Sequence, residues 1–359
     1  MADSSRVQIS YLKQVEKGTV PSEAFTAVRH TGGTFGLPQE TVRSNEIRGD
    51  AQRGAAVRTG LNPEGAVNLE LSAKTFDDLI EGLMRSTWST AAAFSNSDVQ
   101  AVNGDSQFTT SAGDFTGEDI TDGQWVYVSG FASADTNGWY KVTAIASGAL
   151  TVSPAPPDDT NSESNAISIE GAYIRNGTDS PYFAFQLEHQ DLTDKYRLIS
   201  DAKIGQMDLS SNARERVTGS VQFVGRNHEL KTAKSGNGSV DDAPSTEILN
   251  SSDHVTGVFI NGDLFDGGVM NFSLSANMNA RRQNAVGEVM SQDIGLGSLD
   301  LSGNASVYLT NTTWTGLLQK YIDFTKISIA FAFVDADGNG YIFELPQIAL
   351  TNEPGNVPG

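Results

Sequence analysis

The feature that most restricts how this chain can fold is a unit that occurs twice: a strand running almost without pause into a short amphipathic helix. One copy is VNLELSAKTFDDLIEGLM (67–84) and the other is ASVYLTNTTWTGLLQKYI (305–322). Setting Gly65 on Gly303 places Val67, Leu69 and Leu71 on Ala305, Val307 and Leu309, an offset of 238 residues. The helical positions Phe76, Leu79, Ile80 and Leu83 then fall on Trp314, Leu317, Leu318 and Tyr321. Both sets keep the i, i+3, i+4, i+7 spacing of one apolar helical face. Thr75 with Asp78, and Thr312 or Thr313, are the expected N-caps.

A second landmark follows in the same order. YFAFQLEHQDLTDKYRLISDAKI (182–204) and SIAFAFVDADGNGYIFELPQI (328–348) each read as strand, turn, strand. Phe183 and Phe185 match Ile329 and Phe331, Tyr196 matches Tyr341 and Ile204 matches Ile348, with about a residue of slippage at the turn. The pattern predicts a duplicated domain. Its first copy occupies 1–91 and 172–226 and its second 255–359, with the Gly/Ser-rich polar stretch 227–254 as the linker between them. The second copy stops where the first continues into MDLSSNARERVTGSVQFVG, so a further strand is expected from a neighbouring subunit or a longer chain, unless the second copy is simply incomplete.

The segment 92–171 has no counterpart in the second copy. Its alternating short strands and turn residues predict a small inserted β-barrel or sandwich. From Ser89 to Glu170 it carries eleven acidic residues and a single base, Lys141, which marks an acidic surface domain. Composition agrees with a mainly β chain: 36 glycines, many Ser, Thr, Asn and Asp, and no helical pattern beyond about three turns. At 359 residues, two or three domains are expected.

The formal charge of −20 opposes tight binding to nucleic acid, since phosphate contacts need Lys and Arg. It is compatible with a passage along which DNA slides without adhering. With no cysteine, disulfides and thiolate metal sites are excluded. No apolar run approaches the roughly 20 residues that span a bilayer. The first residues, MADSSRVQISYLKQVEKG, lack the basic-then-apolar order of a signal peptide, so synthesis and retention in a cytosol, or a signal-free exit, are expected.

No catalytic, metal or cofactor site is expected. His30, His189, His228 and His254 are scattered without ligand spacing, and no Gly-x-Ser-x-Gly elbow or P-loop occurs. DADGNGYIFE (335–344) opens like an EF-hand, but Pro346 stands where the closing Glu is needed and the flanks are strands. A hairpin turn is the reading. The unusual loops are charged. Residues 40–60 carry Arg43, Arg48, Arg53 and Arg58 at five-residue spacing, with Glu46 and Asp50 between them. The matching segment, NARRQNAVGEVMSQDIG, holds Arg281, Arg282, Glu288 and Asp293. Long loops of this kind suit self-association through Arg–carboxylate pairs.

These residues together resemble a known family. VRHTGGTFGLPQETVRSNEIRGDAQ, VRTG and GAVNLELSAKTFDDLIEGLMRSTW, followed by SIEGAYIRNGTDSPYFAFQLEHQD and VTGSVQFVG, are similar to major tail (tail tube) proteins of long, non-contractile-tailed bacteriophages. DGQWVYVSGF, NGWYKVTAI and LTV resemble the extra domain that many of them carry. The resemblance spans most of Gln8–Leu350 and implies β-sandwich or barrel domains, each flanked by a short α-helix and stacked as rings around a DNA channel. Single-copy relatives form six-subunit rings, so a two-copy chain implies a homotrimeric ring with pseudo-sixfold symmetry, the alternative being a homohexamer. The resemblance further implies a virion location made in the host bacterial cytoplasm. The expected partners are tape-measure, tail-terminator and distal tail proteins. DNA would pass through without specific binding, and no membrane is involved. The competing reading is a secreted or surface β-rich adhesin or carbohydrate binder, for which Trp125, Trp139 and Tyr140 are the candidate platform.

Overall fold

The computed structural model describes residues 6–47, 49–50, 52–308 and 311–352, with the side chains of 311–315 outside that description. The chain is mainly β, as expected. It begins with β1 (Val7–Gln14), β2 (Phe25–Ala27), β3 (Gly32–Gly36), β4 (Gln39–Arg43), β5 (Ala56–Leu61) and β6 (Glu64–Glu70), then α1 (Asp77–Met84). Seven strands follow: β7 (Ala92–Asn96), β8 (Gln100–Val102), β9 (Gln107–Thr109), β10 (Trp125–Ser129), β11 (Gly138–Ala146), β12 (Ala149–Ser153) and β13 (Ile167–Gly171). Next come β14 (Tyr182–His189), β15 (Tyr196–Asn212), β16 (Thr218–Val224), β17 (Asn227–Lys231) and β18 (Val240–Asp241). The last part holds β19 (Val255–Ile260), β20 (Asp263–Leu264), β21 (Val269–Asn277), β22 (Arg281–Gln283), β23 (Asp293–Gly295) and β24 (Asp300–Val307), then α2 (Asn311–Ile322), β25 (Ile327–Val334) and β26 (Gly340–Ile348).

One long strand organises the molecule. The first part of β15 pairs with β14 and β17, and its second part pairs with β16 and β21. A register shift between Ile204 and Gln206 marks the change of partner. Two layers therefore share β15. The first is β18-β2-β1-β14-β15, with β17 beside β15. The second is β3-β6-β16-β15-β21-β24, in which every neighbouring pair is antiparallel. A separate four-stranded sheet, β20-β19-β25-β26, repeats the order β2-β1-β14-β15. Phe331 faces Phe343 there as Phe185 faces Ile199, and Phe333 faces Tyr341 as Leu187 faces Arg197. By register, then, Arg197 rather than its neighbour Tyr196 stands where Tyr341 stands. The expected linker, 227–254, contains β17 and β18, and its Leu249 is fully buried.

The main core lies between these layers and α1. Period-two alternation turns Val67, Leu69, Met207, Leu209, Val221, Phe223 and Phe272 inward. Phe185 stacks on Phe223 at 3.9 Å between ring centroids, and Phe272 on Phe331 at 4.7 Å. The α1 face seen in the sequence is the buried one: Phe76, Leu79, Ile80 and Leu83 are all at most 5% exposed. Gly82 lets the helix sit close, because a Cβ there would lie 2.6 Å from Phe183 and 2.8 Å from Ile204. Thr75 is not the cap. Its buried hydroxyl shares a 2.8 Å hydrogen bond with Ser72, and Phe76 occupies the N-cap position without a side-chain bond. On α2, Leu317, Leu318 and Tyr321 are only half-buried, and the Trp314 side chain lies outside the described residues.

Residues 92–171 form their own seven-stranded sheet, β7-β13-β10-β11-β12-β9-β8, around Phe94, Phe108, Phe115, Val126, Tyr140 and Ile169. Its first and last strands pair, with Ala92 directly opposite Gly171, so it enters and leaves at one point. The outer face of β10 and β11 docks on the four-stranded sheet. Trp125 packs against Phe259 at 4.7 Å and donates from Nε1 to Glu344 at 3.0 Å, while Lys141 pairs with the same carboxylate at 2.5 Å.

Candidate functional site

The side of the β3-β6-β16-β15-β21-β24 layer turned away from the core is polar from edge to edge. Register places Asn68, Ser220, Asp208, Ser275 and Ser302 in one row across it. Glu70, Thr218, Ser210, Ser273 and Asn304 form the next, and Ala66, Gln222, Gln206, Asn277 and Asp300 a third. Asp208 is the hub. Its carboxylate accepts from Ser275 Oγ at 2.6 Å, Gln206 Nε2 at 2.9 Å, Gln222 Nε2 at 3.3 Å and Ser220 Oγ at 3.5 Å. Glu70 is paired with Arg216 at 2.5 Å, and Glu64 lies 3.8 Å from Arg282. The rows themselves contain carboxylates, hydroxyls and carboxamides without a Lys or Arg. A phosphate over such a surface meets repulsion and no bidentate cation.

The two ends of this layer are the strands β3 and β24, each paired on one side only among the described residues. Residues 300–305 of β24 are all exposed, with Leu301 at 45%. Five successive antiparallel pairings separate the two strands, so β3 and β24 run in opposite directions. Unpaired edges of this length are templates for another strand.

The charged loops are hairpins, and they behave differently. The β22–β23 hairpin is held within the chain. Arg282 donates to the carbonyls of Gly225 at 2.8 Å and Pro63 at 2.5 Å. Asp293 accepts from the Tyr182 hydroxyl at 3.0 Å and lies 3.6 Å from Lys17 and 3.7 Å from Lys203. Burial alone would push the Asp293 carboxyl up, but the Ile294 N–H, the Lys203 charge and the Tyr182 hydroxyl together hold it below the usual carboxylate range. Burial lowers the Lys203 ammonium in spite of Asp293, and burial together with Asp293 pushes Tyr182 up to about 12. Leu61 N–H donates to Val289 at 2.8 Å and the Arg226 side chain to the Ser291 carbonyl at 3.2 Å, completing the seam. Arg281 and Glu288 remain exposed. The longer β4–β5 hairpin is exposed throughout Gln39–Arg43 and at Glu46, Asp50, Arg53 and Arg58; Arg48 lies outside the described residues. Val42, Val57 and Ile47 on it are 58%, 65% and 99% exposed.

Two contacts could not be found from spacing. The hydroxyl of Tyr341 donates to Asp77 Oδ1 and accepts from the Lys74 N–H at 2.9 Å, joining β26 to the start of α1. Lys141 had a signal, as the lone base in an acidic stretch, and it is the cation that docks residues 92–171. The aromatic platform is not available. Trp125 is 6% exposed against Phe259, Trp139 packs beside it, and Tyr140 lies in the hydrophobic cluster of residues 92–171. In the 335–340 turn, Asp335 Oδ1 accepts from the N–H groups of Asp337 at 3.0 Å and Asn339 at 2.7 Å. No cluster of three or more His, Asp or Glu side chains able to hold a metal exists among the described residues.

A family model described as phage tail tube protein matches residues 4–358. The chain belongs to the phage tail tube protein family. No curated protein matches it. Membership makes it a structural component of the virion tail and implies self-assembly into a tube alongside other tail proteins. No helix among the described residues is long and apolar enough to cross a membrane.

Proposed function

We propose that the chain carries two copies of one ring-building domain and that three chains close into a ring of pseudo-sixfold symmetry. Stacked rings form the conduit for DNA ejection. The observation that carries this reading is the six-strand layer with a polar, cation-free face and two antiparallel-compatible free edges. Pairing β24 of one chain with β3 of the next continues the layer, and closure removes both edges. The polar rows then line the lumen, where Asp208 and Asp300 keep phosphate moving. Equal strand orders in β2-β1-β14-β15 and β20-β19-β25-β26 support the duplication, with 92–171 as the domain on the outside. The exposed β4–β5 hairpin, with Arg43, Arg53 and Arg58, reaches neighbouring subunits. Tape-measure, tail-terminator and distal tail proteins are the further partners, and the reading requires no catalysis.

Negative-stain microscopy of concentrated protein tests it. Rings or tubes with threefold or pseudo-sixfold averages are expected. A monomer persisting at high concentration would overturn the assembly, and true sixfold rings with one whole chain per sector would replace the trimer with a hexamer.

A further inference from the structure

The two helices end alike and are used differently. Arg85 after α1 and Phe324 after α2 both take left-handed φ values, 54° and 51°. In each case the next N–H closes back five residues, Ser86 to Glu81 and Thr325 to Lys320. Each helix also follows the second strand of an antiparallel pair, β3–β6 or β21–β24, although among the described residues β6 is paired on both sides and β24 on one. Yet α1 is covered on two sides. On one side Tyr11 donates to Asp78 at 2.9 Å and Lys13 pairs with Glu81 at 2.6 Å. On the other, Tyr341 of the four-stranded sheet grips its first turn and stacks on Trp88 at 6.5 Å. At the end of α2 Ile322 is 65% exposed, and Phe324 just beyond it 67%.

We infer that α2 is the joint between successive chains, seated on the β15–β17 face of the neighbour as α1 is seated on Tyr341 within the chain. This rests on the ring reading above. The receiving surface follows from register: Arg197 occupies the place of Tyr341, and Leu230 stands directly opposite it on β17, on the same face. Leu230 is 78% exposed, an apolar side chain on a strand surface that the chain itself leaves open. The seam inside the chain thus supplies the geometry for the seam between chains, and the occupant is a second copy of this chain.

Because the protein has no cysteine, the test is clean. Chains bearing Leu318→Cys are mixed with chains bearing Leu230→Cys, assembled, and treated with a short bismaleimide. A cross-linked dimer is expected only in the mixture. Asn304→Cys with Thr34→Cys, both on the polar face by register, is the parallel pair across β24 and β3. Rings in which the edge pair links and the helix pair does not would overturn the inference and leave the ring intact. Failure of the unmodified chain to form rings would remove both. Ile322→Asp and Leu230→Asp, at exposed positions, should leave the monomer's melting curve unchanged and raise the concentration needed for assembly at least tenfold. Assembly unchanged in both would also overturn it.

Discussion

Tyr341 shows how much one hydroxyl can organise. It sits 8% exposed between a carboxylate on α1 and the backbone of Lys74, 264 residues from the Asp77 it contacts. Tyr341→Phe removes a hydrogen bond to a charged group and strands a backbone donor, so a loss of about 2 kcal/mol is expected in denaturant titrations. An unchanged midpoint would show that the contact contributes nothing. Asp293 supplies a pH dependence with a definite sign. Its folded-state carboxyl is held low, so its stabilisation is complete above about pH 3.9, the ordinary carboxylate value, and is lost as the pH falls through the lower folded value. The protection of the Ile294 amide, its exchange rate referred to the intrinsic rate at the same pH, should therefore fall under acid in the native chain. Asp293→Asn should show the lower protection already at neutral pH, with no further loss under acid. None of these partners was legible beforehand, because a mixed-charge loop looks the same whether it is pinned, as at Arg282, or free, as at Arg43.

At the scale of elements, periodicity did most of the work. The spacing of Phe76, Leu79, Ile80 and Leu83 marks the face of α1 that is buried. The same spacing on α2 did not foretell burial, since a pattern states which side is apolar and not whether a partner within the chain reaches it. Thr75 misled for a local reason: a buried Thr next to Ser72 finds a side-chain partner and does not serve the helix. The length of β15 was also hidden. Around Gly205 the apolar alternation slips by one residue, from Ile204 to Met207, with no turn signal beside it, so the strand continues while its partners change. Gly82 allows a direct test. Ala has the better helix propensity by about 1 kcal/mol, yet Gly82→Ala should destabilise by about 1–3 kcal/mol because its methyl meets Phe183 and Ile204. A rise in melting temperature would mean that the helix can lift off the sheet without cost.

For the whole molecule, turn spacing and charge single out the acidic segment 92–171, which carries a sheet and a hydrophobic cluster of its own, whereas nothing in the sequence marks its berth. Excising it and joining 91 to 172 with a short Gly/Ser link should leave a cooperatively unfolding remainder. That remainder should bind apolar dyes, since Phe259, Ala330 and Ala332 lose their cover. The excised 92–171 fragment should also unfold cooperatively on its own core; a non-cooperative melt of either piece would show that the two are one folding unit. The paired ends, Ala92 opposite Gly171, carry a practical consequence. They make this point of the chain a socket into which a foreign domain with adjacent termini can be spliced, so that a tube could be made to display cargo along its length. Such a graft must do more than fit the opening: it needs an aromatic side chain for Phe259 and a cation for Glu344, or the scaffold will carry its passenger at the expense of its own solubility.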